Sequence, residues 1–274
     1  MNTPQTIIIF GGTSGIGLAL AKWHARQGNL VTVIGSNPHK VQAILELDNI
    51  TAICCDVRCR TQRDELLKRL DTPFSQLIYS IGKYYPERKQ ALSADESHDM
   101  LMLNLQAFQA VFAWASERLI HKKQAQEKQT IHRTTPATPT SLVAISSVAG
   151  LFDFQGASLY AHCKRAMIQD TLAYRMALAP FGIQVIAIAC GYVDTATLSQ
   201  LHGGRADKPC GRADKPFLIS EQETVHQIIH AIHNDIALHV FPKSMKAIVK
   251  LLTALPRPLL AKVMQLQYHH QDRK

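Results

Sequence analysis

The sequence predicts a doubly wound α/β fold, a parallel sheet with helices on both faces. Short apolar, β-branched runs alternate with segments of helical periodicity. The runs are continuous rather than alternating in polarity, as strands buried on both faces require. The first of them ends in a glycine turn that opens a helix.

Thr6–Phe10 is the first strand, and Ile16–Gln27 a helix closed by Gly28-Asn29. Leu30–Ile34 is the second strand. Pro38–Leu47 reads as a helix, with Asn37 as N-cap and Pro38 in the first turn. Ile50–Cys54 is a strand, Thr61–Leu70 a helix and Gln76–Tyr79 a strand. A single long helix is expected across Ala94–Ile120. Ser141–Ile145, Ser158–Ala179 and Gln184–Ala189 complete the series as strand, helix and strand.

Two stretches interrupt it. His121–Thr140 is polar, basic and rich in Thr and Pro towards its end, and is expected to be an exposed insertion. Gly-Arg-Ala-Asp-Lys-Pro occurs at Gly204 and again at Gly211. One short duplication is too little for a repeat architecture and reads as an expanded loop.

The 274 residues allow one or two domains. With 46% hydrophobic and 19% charged residues, wholesale disorder is excluded. The net charge of +9 favours anionic partners such as nucleotide phosphates or an acidic surface. No nucleic-acid recognition motif accompanies it, so nucleic acid is not an expected partner. No apolar run reaches the roughly 18 residues of a spanning helix. The N-terminus has no signal-peptide pattern, and the six cysteines form no CxxC or zinc spacing. A cytoplasmic chain with reduced thiols and no metal is expected. His226, His230 and His233 share helical spacing and are read as solvent-facing rather than as ligands.

The chemistry begins at Gly11-Gly12-Thr13-Ser14-Gly15-Ile16-Gly17. Glycines permit a tight turn and close approach of backbone N–H groups to a pyrophosphate at a helix N-terminus. Gly11, Thr13, Ser14, Gly15, Ile16 and Gly17 are therefore candidate cofactor contacts. At the end of the second strand stands Gly35-Ser36-Asn37, followed by His39 and Lys40. A carboxylate there would bind a ribose 2′-hydroxyl and repel a 2′-phosphate. None is present, so NADP(H) is favoured over NAD(H), with Ser36 and Asn37 at the rim. Asp56 and Val57, beyond the third strand, are placed to meet the adenine. Tyr160 and Lys164 share a helix face four residues apart, and an ammonium near a phenol favours phenolate. Ser147 lies thirteen residues before Tyr160, at a strand carboxyl end, where sheets of this kind hold ligands.

Together, Gly11-xxx-Gly15-x-Gly17, Asp56, Asn104, Ser147, Tyr160 and Lys164 resemble the short-chain dehydrogenase/reductase family over roughly residues 5–200. The resemblance implies a Rossmann-type sheet of about seven strands and an NAD(P)-dependent oxidoreductase acting on a carbonyl or alcohol. Tyr160 would be the proton donor or acceptor. Lys164 would lower its pKa and hold ribose hydroxyls, Ser147 would bind the substrate oxygen, and Asn104 would complete a proton relay. Gly82, Val193 and Thr195 fall at the family's remaining cofactor positions. A homodimer or homotetramer is the expected assembly. The alternative is a nucleotide-binding regulatory or scaffold protein on the same fold.

The chain departs from the family at three places. Asn-Asn-Ala-Gly is here Tyr79-Ser80-Ile81-Gly82, so hydrogen bonds bracing the central sheet are expected to be remade. Pro-Gly is Cys190-Gly191, and losing the proline is expected to loosen that turn. The threonine before Gly11 is Phe10.

Residues 1–240 are expected to form one nucleotide-binding and catalytic domain, with a substrate lid over about 192–220. Residues 241–274 form a basic helical extension. Its two helices, Lys243–Ala254 and Leu259–Tyr268, carry an apolar stripe of Leu251, Leu252, Leu255, Leu259, Leu260, Val263 and Leu266. The stripe has two destinations open to it: the protein, within or between subunits, or the interface of a membrane contacted peripherally.

Overall fold

The computed structural model describes residues 4–87, 91–129, 139–153, 157–195 and 217–271, with the side chains of 126–129 and 265–271 outside that description. Strands β1 (Thr6–Phe10), β2 (Leu30–Gly35), β3 (Ile50–Cys54), β4 (Gln76–Tyr79), β5 (Thr140–Ser147) and β6 (Ile183–Cys190) are joined by β9 (Leu238–Phe241). They form one seven-stranded sheet in the order β3-β2-β1-β4-β5-β6-β9. Every pairing is parallel. The order reverses between β1 and β4, the switch point where sheets of this kind open a crevice.

The period of two explains the two-sided core. Ile8 and Phe10 of β1 and Leu77 and Tyr79 of β4 face one side. There they meet Phe108 and Phe112 of α5 (Ala107–Gln129) and Met167 of α6 (Leu159–Leu178). Ile7, Ile9 and Ile78 face the other side, against Leu20 of α1 (Gly15–Arg26) and Val225 and Ile228 of α7 (Glu221–His233). Continuous apolar strands are the direct outcome of burial on both faces.

Asn37 caps the short helix α2 (Pro38–Gln42) by accepting from Lys40 N at 3.1 Å. The helix ends early, and turns replace it through Leu47. α3 (Arg60–Arg69) follows β3. The long helix expected across Ala94–Ile120 is two helices. α4 (Ala94–Leu101) opens with a capping box between Ser93 and Glu96, and a π-helical turn at Met102–Gln106 separates it from α5.

The exposed insertion expected at His121–Thr140 does not begin at His121. α5 continues to Gln129, and Lys122 Nζ donates to Phe74 O at 2.7 Å. That bond anchors a basic stretch which composition alone assigns to a loop. Thr140 already belongs to β5, and residues 130–138 lie outside the description. Most of the expected lid, including the Gly204–Pro216 duplication, also lies outside it. Its base is closed by a parallel two-residue pair, β7 (Val193–Asp194) with β8 (Ile219–Ser220).

After β9 come α8 (Lys243–Thr253) and α9 (Arg257–Gln271). No helix among the described residues is long and apolar enough to cross a membrane.

Candidate active site

The site lies along the carboxyl ends of β1, β4, β5 and β6. At its nucleotide end the turn after β1 is made by backbone. Gly11 adopts φ +82° and its N–H donates to Ile34 O at 2.8 Å. A Cβ on Gly17 would lie 2.2 Å from Gly11 O, so the turn closes on itself only with glycine at both positions. Thr13 is buried against Gly35, and Ser14 is the N-cap of α1 without a side-chain capping bond. The first turn of α1 holds no acidic residue, and Ile16 packs into the core below it. A Cβ on Gly15 would come within 3.5 Å of Thr195 Cγ2, which brings the turn close to the loop after β6. Val193 of that loop is buried. A glycine turn at an unneutralised helix N-terminus fits a pyrophosphate.

Ser36, Asn37, His39 and Lys40 form an exposed rim beyond β2. Asp56 follows β3 and is gripped by Arg58, a residue the sequence did not flag. Arg58 Nη2 donates to Asp56 Oδ2 at 2.6 Å, while its Nη1 donates to Asp99 of α4 at 2.9 Å. These bonds hold the Asp56 carboxyl below its ordinary pKa. Val57 is buried and its carbonyl accepts from Arg63.

At the catalytic end the four expected side chains converge. Ser147 closes β5, and its Oγ accepts from Ala149 N at 3.2 Å in the short 3-10 turn that follows. Ser158 caps α6, which places Tyr160 in the first turn and Lys164 one turn on. Desolvation pushes the Tyr160 phenol above its ordinary pKa, and a hydrogen bond with Ser147 opposes this. Lys164 is buried, and burial brings its ammonium down to about 8. Its Nζ donates to Ile145 O at 3.2 Å and lies 5.8 Å from the Tyr160 ring centroid. Lowering of the phenol by the lysine, the sequence expectation, is therefore not the dominant effect here. Desolvation wins, and the ammonium is engaged by a backbone carbonyl.

A Cβ on Gly82 would lie 3.3 Å from Lys164 Nζ and 3.5 Å from Asn104 Oδ1. That one position joins the end of β4, the π-helical turn and α6. Asn104 is fully buried in the turn. Its Oδ1 accepts from Lys83 N at 3.2 Å, and its Nδ2 donates to Lys83 O at 2.7 Å and to Met100 O at 3.0 Å.

The departures from the family pattern are compensated. Tyr79 stacks on Phe10, and its hydroxyl donates to Leu103 O at 2.7 Å, bracing the turn beside Asn104. Ser80 N donates to Phe10 O at 2.8 Å. The Cys190-Gly191 turn is not loosened. Cys190 pairs with both Ser147 and Phe241, its thiol donates to Ser146 O at 3.2 Å, and Gly191 N donates to Phe241 O at 2.9 Å. Cysteine keeps the backbone N–H that proline lacks and remains in the ladder.

The segment after Gly82 is the part the sequence did not reveal. Besides the Lys83 clamp, Tyr84 meets the Tyr160 ring edge-to-face at 5.2 Å, and Tyr85 donates to Asp99 at 3.0 Å. Glu87 accepts from Leu159 N at 2.9 Å at the start of α6. Its only sequence signal was two adjacent tyrosines. His226, His230 and His233 are exposed on α7, and no group of metal-binding side chains occurs among the described residues.

A sequence model of the short chain dehydrogenase family matches residues 5–205. An uncharacterized oxidoreductase of Staphylococcus aureus is 26% identical over 207 residues, spanning 71% of this chain and 80% of that protein. Among solved structures, a short-chain dehydrogenase from Sphingobium yanoikuyae in complex with NADPH aligns with a TM-score of 0.72 at 19% identity, covering 92% of this chain and 93% of that one. One from Burkholderia cenocepacia in complex with NADP gives 0.73 at 15% identity, covering 94% and 97%. A 4-hydroxyisoleucine dehydrogenase complexed with NADH gives 0.65 at 21% identity, covering 86% and 96%.

Proposed function

The chain belongs to the short chain dehydrogenase family of NAD(P)-dependent oxidoreductases, and from that premise we propose that it interconverts a carbonyl and an alcohol using NADP(H), with Tyr160 moving the proton. The observation that carries this reading is the chain of contacts from Ser147 hydrogen-bonded to Tyr160, through Lys164 beside the Tyr160 ring, to Lys164 and Asn104 meeting at Gly82.

Gly11, Thr13, Ser14, Gly15, Ile16 and Gly17 would hold the pyrophosphate. Ser36 and Asn37 would lie at the 2′-phosphate and Asp56 and Val57 at the adenine. Gly82, Val193, Thr195, Tyr160 and Lys164 would hold the nicotinamide half. When bound, the cofactor supplies or accepts the hydride. In the reducing direction Ser147 orients the substrate oxygen, and the neutral Tyr160 phenol gives it a proton. The phenolate left behind is stabilised by the Ser147 hydrogen bond and the nearby Lys164 ammonium. Asn104, which meets the same Gly82 position as Lys164, would begin a relay returning that proton. NADP(H) preference is supported by the absence of a carboxylate at Ser36-Asn37.

Tyr160→Phe keeps the ring against Tyr84 and deletes the hydroxyl. NADPH oxidation with a panel of ketones, aldehydes and quinones should fall at least about 100-fold in kcat, while NADPH titrates as in the wild type. Near-native turnover in the variant would overturn the mechanism. NADPH binding without turnover on any carbonyl would favour the scaffold reading.

A further inference from the structure

We propose that α8 and α9 form a docking face for an anionic lipid surface, a role independent of the chemistry at Tyr160. The tail is not loose. Met245 and Val249 of α8 and Leu260 of α9 are buried against the protein. Pro242 and Met245 lie at Gly191, and Arg257 pairs with Asp153 at 2.7 Å. That packing uses only one side of α8.

A second apolar side is left uncovered. Leu251 is 70% exposed, Leu259 47% and Ile248 37%, and Ala247 and Ala254 are exposed with them. At helical spacing, Ala247, Ile248, Leu251 and Ala254 share one face, turned away from Met245 and Val249. Lys243, Lys246 and Lys250 run along its edge at intervals of three and four, and all three are exposed. Isolated exposed leucines are ordinary on a protein surface. A continuous stripe bordered by a row of lysines has the composition of a helix lying in a headgroup region.

Charge decides between occupants. Residues 236–271 contain no Asp or Glu. Arg257 is paired with Asp153, whereas Lys243, Lys246, Lys250 and Lys262 have no carboxylate partner among the described residues. In an isologous contact with a second copy, the same patch faces itself and sets one lysine row against another. An anionic bilayer supplies the missing counter-charge and receives Ile248 and Leu251 at the boundary with the acyl chains. The surface is one the protein lies on, since neither helix can span.

The test is co-sedimentation of the full chain with vesicles of phosphatidylcholine alone and of phosphatidylcholine mixed with phosphatidylglycerol, at low and high salt. The wild type should pellet with the anionic vesicles only, and high salt should release it. Lys246→Ala and Lys250→Ala should each weaken binding about fivefold. Leu251→Asp should weaken it about tenfold or more while leaving NADPH binding and thermal stability unchanged. Equal, weak sedimentation of the wild type with both vesicle types would overturn the proposal, as would unaltered binding by Leu251→Asp. A change in oligomeric state on Leu251→Asp without vesicles would assign the face to a second copy and also overturn it.

Discussion

The nucleotide end of the site is built from backbone, and the catalytic end from side chains reaching across the fold. At the first, Gly11, Gly15 and Gly17 lie within seven residues and backbone makes the fit: Gly11 N–H donates to Ile34 O on the neighbouring strand, and a Cβ on Gly17 would strike the turn's own backbone. At the second, Asn104 holds Lys83, Tyr79 holds Leu103, Glu87 holds the start of α6, and Ser147 holds Tyr160. The local end tolerates almost no change at its glycines. The distributed end tolerates changes of residue type where a new hydrogen bond replaces an old one, as at Tyr79 and Cys190.

The sharpest way to break the local end is Gly17→Ala. The added carbon would meet a backbone oxygen at 2.2 Å and nothing there can yield. A loss of about 3 kcal/mol or more in stability is expected, with NADPH affinity down more than about tenfold. Thermal melting and fluorescence titration check both. The distributed end should respond more gently. Tyr79→Phe preserves the packing on Phe10 and Phe108 and removes only the bond to Leu103 O. We expect about 1–2 kcal/mol of lost stability. A several-fold fall in kcat should accompany it, with the NADPH dissociation constant unchanged. A fall in affinity instead of kcat would show that the two ends are not separable in this way.

Ser36→Asp probes the rim beyond β2, on the side of the glycine turn away from the catalytic end. An added carboxylate at the exposed end of β2 should shift the NADPH-to-NADH affinity ratio by about tenfold or more towards NADH. Titrating both cofactors measures it.

A pH-dependent effect, seen only in acid, lies beneath the nucleotide end, at His24 on α1. Burial first, and the neighbouring His233 second, bring its pKa down to about 4 from 6.5. Between those values the unfolded chain carries a proton that the folded chain does not. Stability should therefore fall as the pH is lowered from 6.5 to 4, by at most about 3 kcal/mol from this residue. Denaturant unfolding across that window should show the wild type losing ground relative to His24→Leu. Parallel curves would show that His24 is protonated in the folded state.

The same contrast governs what could be read from the sequence. β1 and β4 fall at their expected residues because an apolar run between a turn and a polar stretch has one way to be buried on both faces, and the edge strand β3 falls at its expected residues with only Ile50 buried. The glycine turn, Ser147, Tyr160 and Lys164 were legible for a related reason. Their spacing along one strand or one helix already determines which way they can point. Asp56 was legible as a position but not as a pair, since Arg58 also engages Asp99, forty-one residues further along the chain.

Long-range packing decided the rest. Periodicity could not divide Ala94–Ile120, because the apolar pattern continues through the π-helical turn, where a tyrosine hydroxyl from β4 reaches Leu103 O. Composition could not extend α5 to Gln129, because the tie is one lysine reaching the Phe74 carbonyl. The segment from Lys83 to Glu87 has no periodicity of its own, and its place is set by Asn104, Tyr160, Asp99 and Leu159. The tail divides in the same way. Its amphipathic helices were written in the sequence, but which apolar residues the protein covers and which it leaves on the surface was settled by the shape of the ground around Gly191 and Asp153. Local order is specified by neighbours a few residues apart, whereas a partner across the fold exists only once the sheet has brought its strands together.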